Sequence, residues 1–243
     1  MRSFLVALQF LTVWPWFGSI DASEEEIGRA AAFFPLVGFL LGMVLASINW
    51  LLAAYVPSEI LSATLVALLI LLTRGLHLDG LADTFDGLGA AGDREQVLKV
   101  MDDSRTGVFG LLAIVLVIAF KLRAIAFMSD GRWQALLLAP VVGRWAMVVL
   151  GYQSQAAREG LGKIIVQHLR GRDLLSATAV AIVLVAILSG ARGLWIMLGV
   201  SLFAVGSKKY LHRRLGGVTG DTFGAVGELS ESAALVFFAL AQQ

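Results

Sequence analysis

Asp79, Asp83 and Asp86 fall at i, i+4 and i+7, so on a helix they lie within roughly 60° of one another on a single face. Three like charges side by side repel, and hard oxygen donors at this spacing suit a Mg²⁺ ion that also holds a phosphate. Capping of a helix N-terminus would account for one or two carboxylates, not for three on one face. The stripe belongs to a polar stretch over 73–110, TRGLHLDGLADTFDGLGAAGDREQVLKVMDDSRTGVFG, which adds Asp93, Glu95, Asp102 and Asp103 together with Arg74, His77, Arg94, Lys99 and Arg105.

Two further constellations have the composition of phosphate sites. Residues 158–173 (REGLGKIIVQHLRGRD) mix Gly160, Gly162 and Gly171 with Arg158, Lys163, His168, Arg170 and Arg172, although ordinary loop charge in a membrane protein would look the same. Residues 216–231 (GGVTGDTFGAVGELSE) set Asp221 and Glu228 at i, i+7, with Glu231 three further on, behind glycines that let backbone approach a ligand closely. Lys121, Arg123 and Arg144 stand inside apolar segments, where an ionised side chain costs at least about 2.5 kcal/mol at the centre unless it faces the bundle interior or snorkels outward. Arg123, nearer a segment end, is expected to snorkel; Lys121 and Arg144 are open between snorkelling and function. His77, His168 and His212 are dispersed, which argues against a histidine metal site, but His77 is near enough to Asp79 to contact a phosphate or orient a carboxylate.

These residues need a scaffold, and composition says what kind. Of 243 residues 58% are hydrophobic and 15% charged, and the mean hydropathy is +0.82, which excludes an ordinary soluble domain and implies an all-α, polytopic membrane bundle. Lys and Arg number 19 against 18 Asp and Glu, so net charge says nothing about a polyanionic partner and the placement of the charges is what informs; the expected partners are the lipid bilayer and small molecules, with no nucleic acid. The absence of cysteine excludes disulfides, thiolate nucleophiles and Cys-ligated zinc. An apolar amino-terminal run, broken at Pro15 between Trp14 and Trp16, suits an interfacial or half-spanning helix; it lacks a small-residue cleavage site and is expected to remain in the mature protein. Ser23 and Glu26 form a capping-box pattern. Apolar spans are expected at 31–55, 60–73, 108–128, 133–152, 174–188, 194–206 and 232–241, seven within a range of six to eight, and Gly38 and Gly42 in the first form a G-x-x-x-G packing motif. The loops 74–106, 152–173 and 207–231 hold four Lys or Arg each, whereas the opposite turns hold only Arg132 and Arg192, so the motif-bearing loops are expected on one side, the cytoplasmic one, of a single transmembrane domain over 1–243.

HLDGLADTFDG (77–87), DSRTGVFG (103–110), AREGLG (157–162) and LGGVTGDTFGAVGELSE (215–231), in that order and across nearly the whole chain, resemble the signatures of the adenosylcobinamide-GDP ribazoletransferase, or cobalamin (5'-phosphate) synthase, family. RAAAFFPLVG (29–38) resembles the family pattern before its first span, and Lys121 and Arg144 fall where similar proteins carry basic residues inside helices. Two positions depart from it: Val13 replaces the Arg of a typical FLTRLP, and Asp102 stands where a basic residue is common.

The resemblance implies a multi-pass enzyme of the bacterial cytoplasmic (inner) membrane that joins α-ribazole, or its 5'-phosphate, to adenosylcobinamide-GDP with release of GMP and use of Mg²⁺; it leaves room for a homo-oligomer. On that implication Asp79, Asp83 and Asp86 hold Mg²⁺ on the pyrophosphate. Asp83, Asp103, Asp221 and Glu228 make up the catalytic set, with Asp103, or Asp221 and Glu228, completing the metal site or accepting the hydroxyl proton. His77, Arg105, Lys121, Arg144 and Arg158 neutralise phosphate oxygens. In-line transfer needs groups on both the attacking and the leaving oxygen, so the acidic stretch and the carboxyl-terminal motif are expected to form one site, with Lys121 and Arg144 facing a shared polar cavity. A CDP-alcohol phosphotransferase would need D-x-x-D-G-x-x-A-R, which is absent. A UbiA-like prenyltransferase would not need the DSRTG and GGVTGD elements, and a transporter would bind its substrate near the midplane.

Overall fold

Backbone in a bilayer has to satisfy its own hydrogen bonds, and this chain does so with helices: α1 (Arg2–Leu11), α2 (Glu24–Ala30), α3 (Phe34–Leu52), α4 (Ser58–Leu72), α5 (Leu76–Gly89), α6 (Arg94–Met101), α7 (Val108–Phe127), α8 (Arg132–Gly151), α9 (Leu161–His168), α10 (Gly171–Leu215) and α11 (Gly220–Leu240). The computed structural model describes residues 2–13 and 21–241; the expected break at Trp14, Pro15 and Trp16 lies outside them. Among the described residues there is no strand, only an isolated parallel bridge between Ala156 and Val218.

Helix α8 is the axis of the bundle, buried along almost its whole length and packed by α3, α10 and α11. Its seam with α3 works because Gly38 and Gly42 carry no side chain: a Cβ at Gly42 would come within 2.7 Å of Leu137 Cα, and one at Gly38 would collide with the Pro140 backbone. The G-x-x-x-G pattern is therefore a packing seam. The capping box at α2 also forms, with the Ser23 amide donating to the Glu26 carboxylate at 3.0 Å and the Glu26 amide to Ser23 Oγ at 3.3 Å.

Five helices are long and apolar enough to cross a membrane, or six if α4 and α5 are counted as one broken span. The 45 residues of helix α10 would be about 67 Å long if straight, twice the hydrocarbon thickness. Gly190 interrupts it with φ 57° and ψ −144°, and a Cβ at Gly193 would lie 2.7 Å from Val185 Cγ1, so the two arms fold back on each other as a hairpin. Reaching the expected seven spans would require counting α4 and each arm of α10 separately.

The expected loops are largely helical. The region 207–231 is split between the end of α10 and the first half of α11, which begins at Gly220, twelve residues before the span expected at 232. This shift puts Glu228 and Glu231 inside the bundle. At the opposite end of the chain's hairpins, Arg132 donates to Ser58 Oγ at 2.8 Å, joining two of the short turns. At the near end the motif-bearing segments clasp one another: Arg94 donates to the Ala157 carbonyl at 2.8 Å, Arg214 to that of Gly92 at 3.0 Å, and the Gln155 amide to His212 at 3.0 Å.

Candidate active site

After α4 the chain turns through 88°, with Arg74 at φ 55° and Gly75 at φ 66°, so α5 runs across the axis of α4. It presses directly against the start of α11. A Cβ on Gly80 would come within 2.9 Å of Asp221 Cα, and one on Gly224 within 3.1 Å of His77 Cα, so this crossing needs glycine on both helices. The acidic stretch and the carboxyl-terminal motif, about 130 residues apart in sequence, are thereby in contact. A cavity of about 120 Å³ opens at the crossing, lined by His77, Asp79 and Gly80 of α5, Gly220, Asp221 and Gly224 of α11, and Leu161 of α9. Asp83 lies one turn beyond Asp79 and feels the charges of Asp79, Asp221 and Asp86 as well as that of Arg158.

The α9 and α11 N-termini meet here too. A Cβ at Gly162 would lie 2.6 Å from the Gly220 amide nitrogen, and the backbone pairing of Ala157 N–H with the Val218 carbonyl at 2.9 Å holds the two lead segments together. Helix N-termini carry unpaired N–H groups and partial positive charge, a natural anion seat. Arg158 leans over it, pairing with Asp221 at 2.6 Å and with Asp102. Asp102, one of the two departures from the family pattern, thus serves as an anchor for Arg158.

The three aspartates of the stripe divide their labour. Asp86 accepts from the Gly107 amide at 2.6 Å and from the Gly110 amide at 2.8 Å, using both oxygens to cap α7 and pin the loop 102–107. Capping thus claims one carboxylate of the three, on a neighbouring helix, while Asp79 lines the cavity and Asp83 lies one turn further along α5. Among the described residues, no three His, Asp or Glu side chains converge as a metal cage. Asp79 and Asp83, one helical turn apart on α5, are hard oxygen donors, and Mg²⁺ delivered with a phosphate keeps several waters and takes only one or two protein carboxylates.

Two other expectations are relocated. Asp103 and Arg105 grip each other in solvent, Nε to Oδ1 at 3.0 Å and a second nitrogen to Oδ2 at 2.7 Å, with the Arg105 side chain 87% exposed. The bidentate hydrogen bond from Arg105 holds the Asp103 carboxyl down at about 2. Neither lines the cavity.

Lys121 and Arg144 were expected to face substrate phosphates and instead meet carboxylates. Lys121 Nζ lies 2.5 Å from both Glu228 and Glu231, and Arg144 binds the second oxygen of Glu231, all four side chains being at least 95% buried. The spaces beside Lys121 amount to about 10 Å³ each, the threshold for one water and far below a phosphate. Two cations and two anions make this cluster neutral. Glu231 escaped the sequence reading as a site residue; the signal was that two cations inside spans require two anions at matching depth.

His77 links cluster and cavity. Its Nδ1 lies 3.4 Å from an Arg144 nitrogen, and guanidinium can only donate, so Nδ1 carries the lone pair and Nε2 the hydrogen. Nε2 is buried without a protein partner, and the ring lines the cavity. With its lone pair turned to Arg144, His77 offers no base to the cavity.

A bundle apolar along its flanks and acidic at one end, with an anion seat under an arginine, belongs among integral-membrane proteins that handle phosphorylated substrates. The profile of the cobalamin-5-phosphate synthase family matches residues 3–239, and the chain belongs to that family. A Geotalea daltonii protein named adenosylcobinamide-GDP ribazoletransferase is 41% identical over 232 residues, 95% of this chain and 94% of its own length. Proteins of the same name from Syntrophobacter fumaroxidans and Pseudomonas fluorescens are 44% identical over 237 residues, covering 94% of each chain, and 41% identical over 246, covering 99% of this chain and 100% of the relative. No solved structure matches.

Proposed function

We propose that this protein is itself an adenosylcobinamide-GDP ribazoletransferase. A ribose hydroxyl of α-ribazole, or of its 5'-phosphate, attacks the phosphorus that carries the cobinamide aminopropanol; the new P–O bond forms as the bond to the GMP phosphate breaks, and GMP leaves with the electron pair. Such a transfer asks the protein mainly for positioning and charge neutralisation. The observation that carries the reading is the α5–α11 crossing, where Asp79 and Asp221 line one cavity beside two helix N-termini.

In this reading the pyrophosphate lies on the α9 and α11 N-termini, and Arg158 leaves Asp221 to grip a phosphate oxygen bidentately. His77 Nε2 donates a further hydrogen bond, and Asp83 or Asp221 accepts the hydroxyl proton. Asp79 and Asp83 would hold Mg²⁺, whose chemistry there is neutralisation of charge on the pyrophosphate. The Lys- and Arg-rich end faces the cytoplasm of a bacterial cell, by the positive-inside asymmetry. Membranes containing the protein, given adenosylcobinamide-GDP and α-ribazole with Mg²⁺, should release GMP and form the cobalamin product in equal amounts; GMP released without the product would point to a hydrolase and refute the proposal.

A further inference from the structure

A second cavity, of about 180 Å³, adjoins the carboxylate cavity between α1, α2, the start of α3 and α9. Val6, Phe10, Ile27, Phe34, Leu161 and Ile165 wall it, and Phe10, Leu161 and Ile165 belong to both cavities, so the two are neighbours meeting at Phe10. Phe10 and Phe34 stack with centroids 6.0 Å apart and planes inclined by 22°, giving the inner chamber an aromatic wall. Gln9, its polar lining residue, already has a partner.

We infer that this chamber is the base-binding subsite for the benzimidazole of α-ribazole, with the ribose at Phe10 and its attacking hydroxyl directed to Asp79 and Asp221. The inference rests on the ribazoletransferase reading and names where the acceptor sits. The other parts of the two substrates fit poorly. The corrin macrocycle is far too large for the chamber. Guanine carries a lactam and an amine that would be buried there without partners, and phosphates would lose their hydration against hydrocarbon. Dimethylbenzimidazole is flat and aromatic, its edge methyls need no hydrogen bond, and apolar walls with few polar groups are what such a ring requires. The shared wall also supplies geometry: a base in the apolar chamber puts the ribose on the side of Phe10 where Asp79 and Asp221 line the neighbouring cavity.

The test uses the full-length protein in lipid nanodiscs and two substitutions of opposite sign. Ile27→Ala enlarges the chamber and should raise KM for α-ribazole about tenfold or more, the scale set by losing methyl and methylene contacts in an apolar pocket, with KM for adenosylcobinamide-GDP unchanged. Ala22→Phe, at a half-buried lining position, narrows it and should turn the enzyme's preference from the dimethylbenzimidazole riboside toward the unmethylated one. A uniform loss of kcat with base preference intact in both variants overturns the subsite.

A readout independent of turnover separates this from the function itself. In this cysteine-free chain Ala22→Cys gives a unique thiol, and α-ribazole should slow its alkylation by maleimide whereas GDP should not. Protection by α-ribazole in a protein that releases no GMP would uphold the chamber and sink the proposed reaction. GMP release in the wild type with no protection, or with alkylation responding only to the acyl-chain length of the lipid, would leave the reaction standing and overturn the chamber.

Discussion

Replacing Glu231 with Gln is the sharpest test of whether Lys121 and Arg144 serve the fold or the substrate. Glu231 is fully buried and bridges both cations, one oxygen to Lys121 at 2.5 Å and the other to Arg144. The substitution leaves two cations facing Glu228 alone, a net positive charge in the bundle interior, and turns an amide NH₂ toward one of them. Removing one partner of a buried pair costs about 3–5 kcal/mol, because the desolvated charge left behind is uncompensated. Against a total stability of roughly 5–15 kcal/mol, that is at least a fifth of it and could be most of it. The double variant Lys121→Met, Glu231→Gln leaves Arg144 with Glu228, whose mutual attraction already operates in the native cluster, and restores neutrality. It should recover about 2 kcal/mol relative to the sum of the single losses.

The assay is an SDS titration of unfolding in mixed micelles for the wild type, both single variants and the double. KM for adenosylcobinamide-GDP, measured on whatever fraction stays folded, completes the cycle. Lys121→Met that raises this KM while leaving the unfolding midpoint in place, together with additive losses in the double variant, would refute the ion-cluster argument and return Lys121 to the phosphates.

Three other outcomes follow from the site. Asp83→Asn should lower turnover by at least about 100-fold with expression and insertion intact, and normal activity at low Mg²⁺ would remove Asp83 from the metal set. Asp86→Asn should cost about 1–3 kcal/mol of stability by weakening the two amide contacts at α7 but leave the Mg²⁺ midpoint of activity where it was, unlike Asp79→Asn; a shifted midpoint would make Asp86 a ligand after all. The Asp103–Arg105 pair depresses a carboxyl from 3.8 to about 2, so its contribution is complete above the unfolded value and is lost only as pH falls through about 2; the activity profile of Asp103→Asn between pH 5 and 9 should keep the wild-type shape, and a limb missing in that range would contradict the exposed pairing.

Sequence carried the architecture well where the bilayer itself writes the rule. Continuous apolar segments announce helices, and the Lys and Arg asymmetry sorted the loops onto one end, where Arg94, Arg158 and Arg214 indeed bind across them. Helical periodicity was enough to put Asp79, Asp83 and Asp86 on one face of α5. What it could not supply was the partner of each charge. Asp86 finds its amides 21 and 24 residues on, Lys121 its carboxylates 107 and 110 residues on, and no local pattern encodes such distances. Span boundaries failed for a related reason: a glycine-rich, polar opening such as GDTFGAVGELSE reads as a loop in water, yet it is helical here because α5 and α8 enclose it.

Helix α11 shows how depth alone can split one chemistry into two roles. Asp221 opens the helix, and Glu228 and Glu231 follow about 10 and 15 Å further along its axis. At the opening, solvent screens charge, and Asp83, Asp79 and Asp221 coexist near a single arginine, an excess of negative charge that a divalent cation and a pyrophosphate could enter together. Two to three turns deeper the same excess would be prohibitive, and there Glu228 and Glu231 share Lys121 of α7 while Glu231 also binds Arg144 of α8. His77, which lines the cavity beside Asp79, reaches the buried cluster through Arg144. Its Nδ1 lone pair faces the guanidinium, which places the ring hydrogen on the buried Nε2.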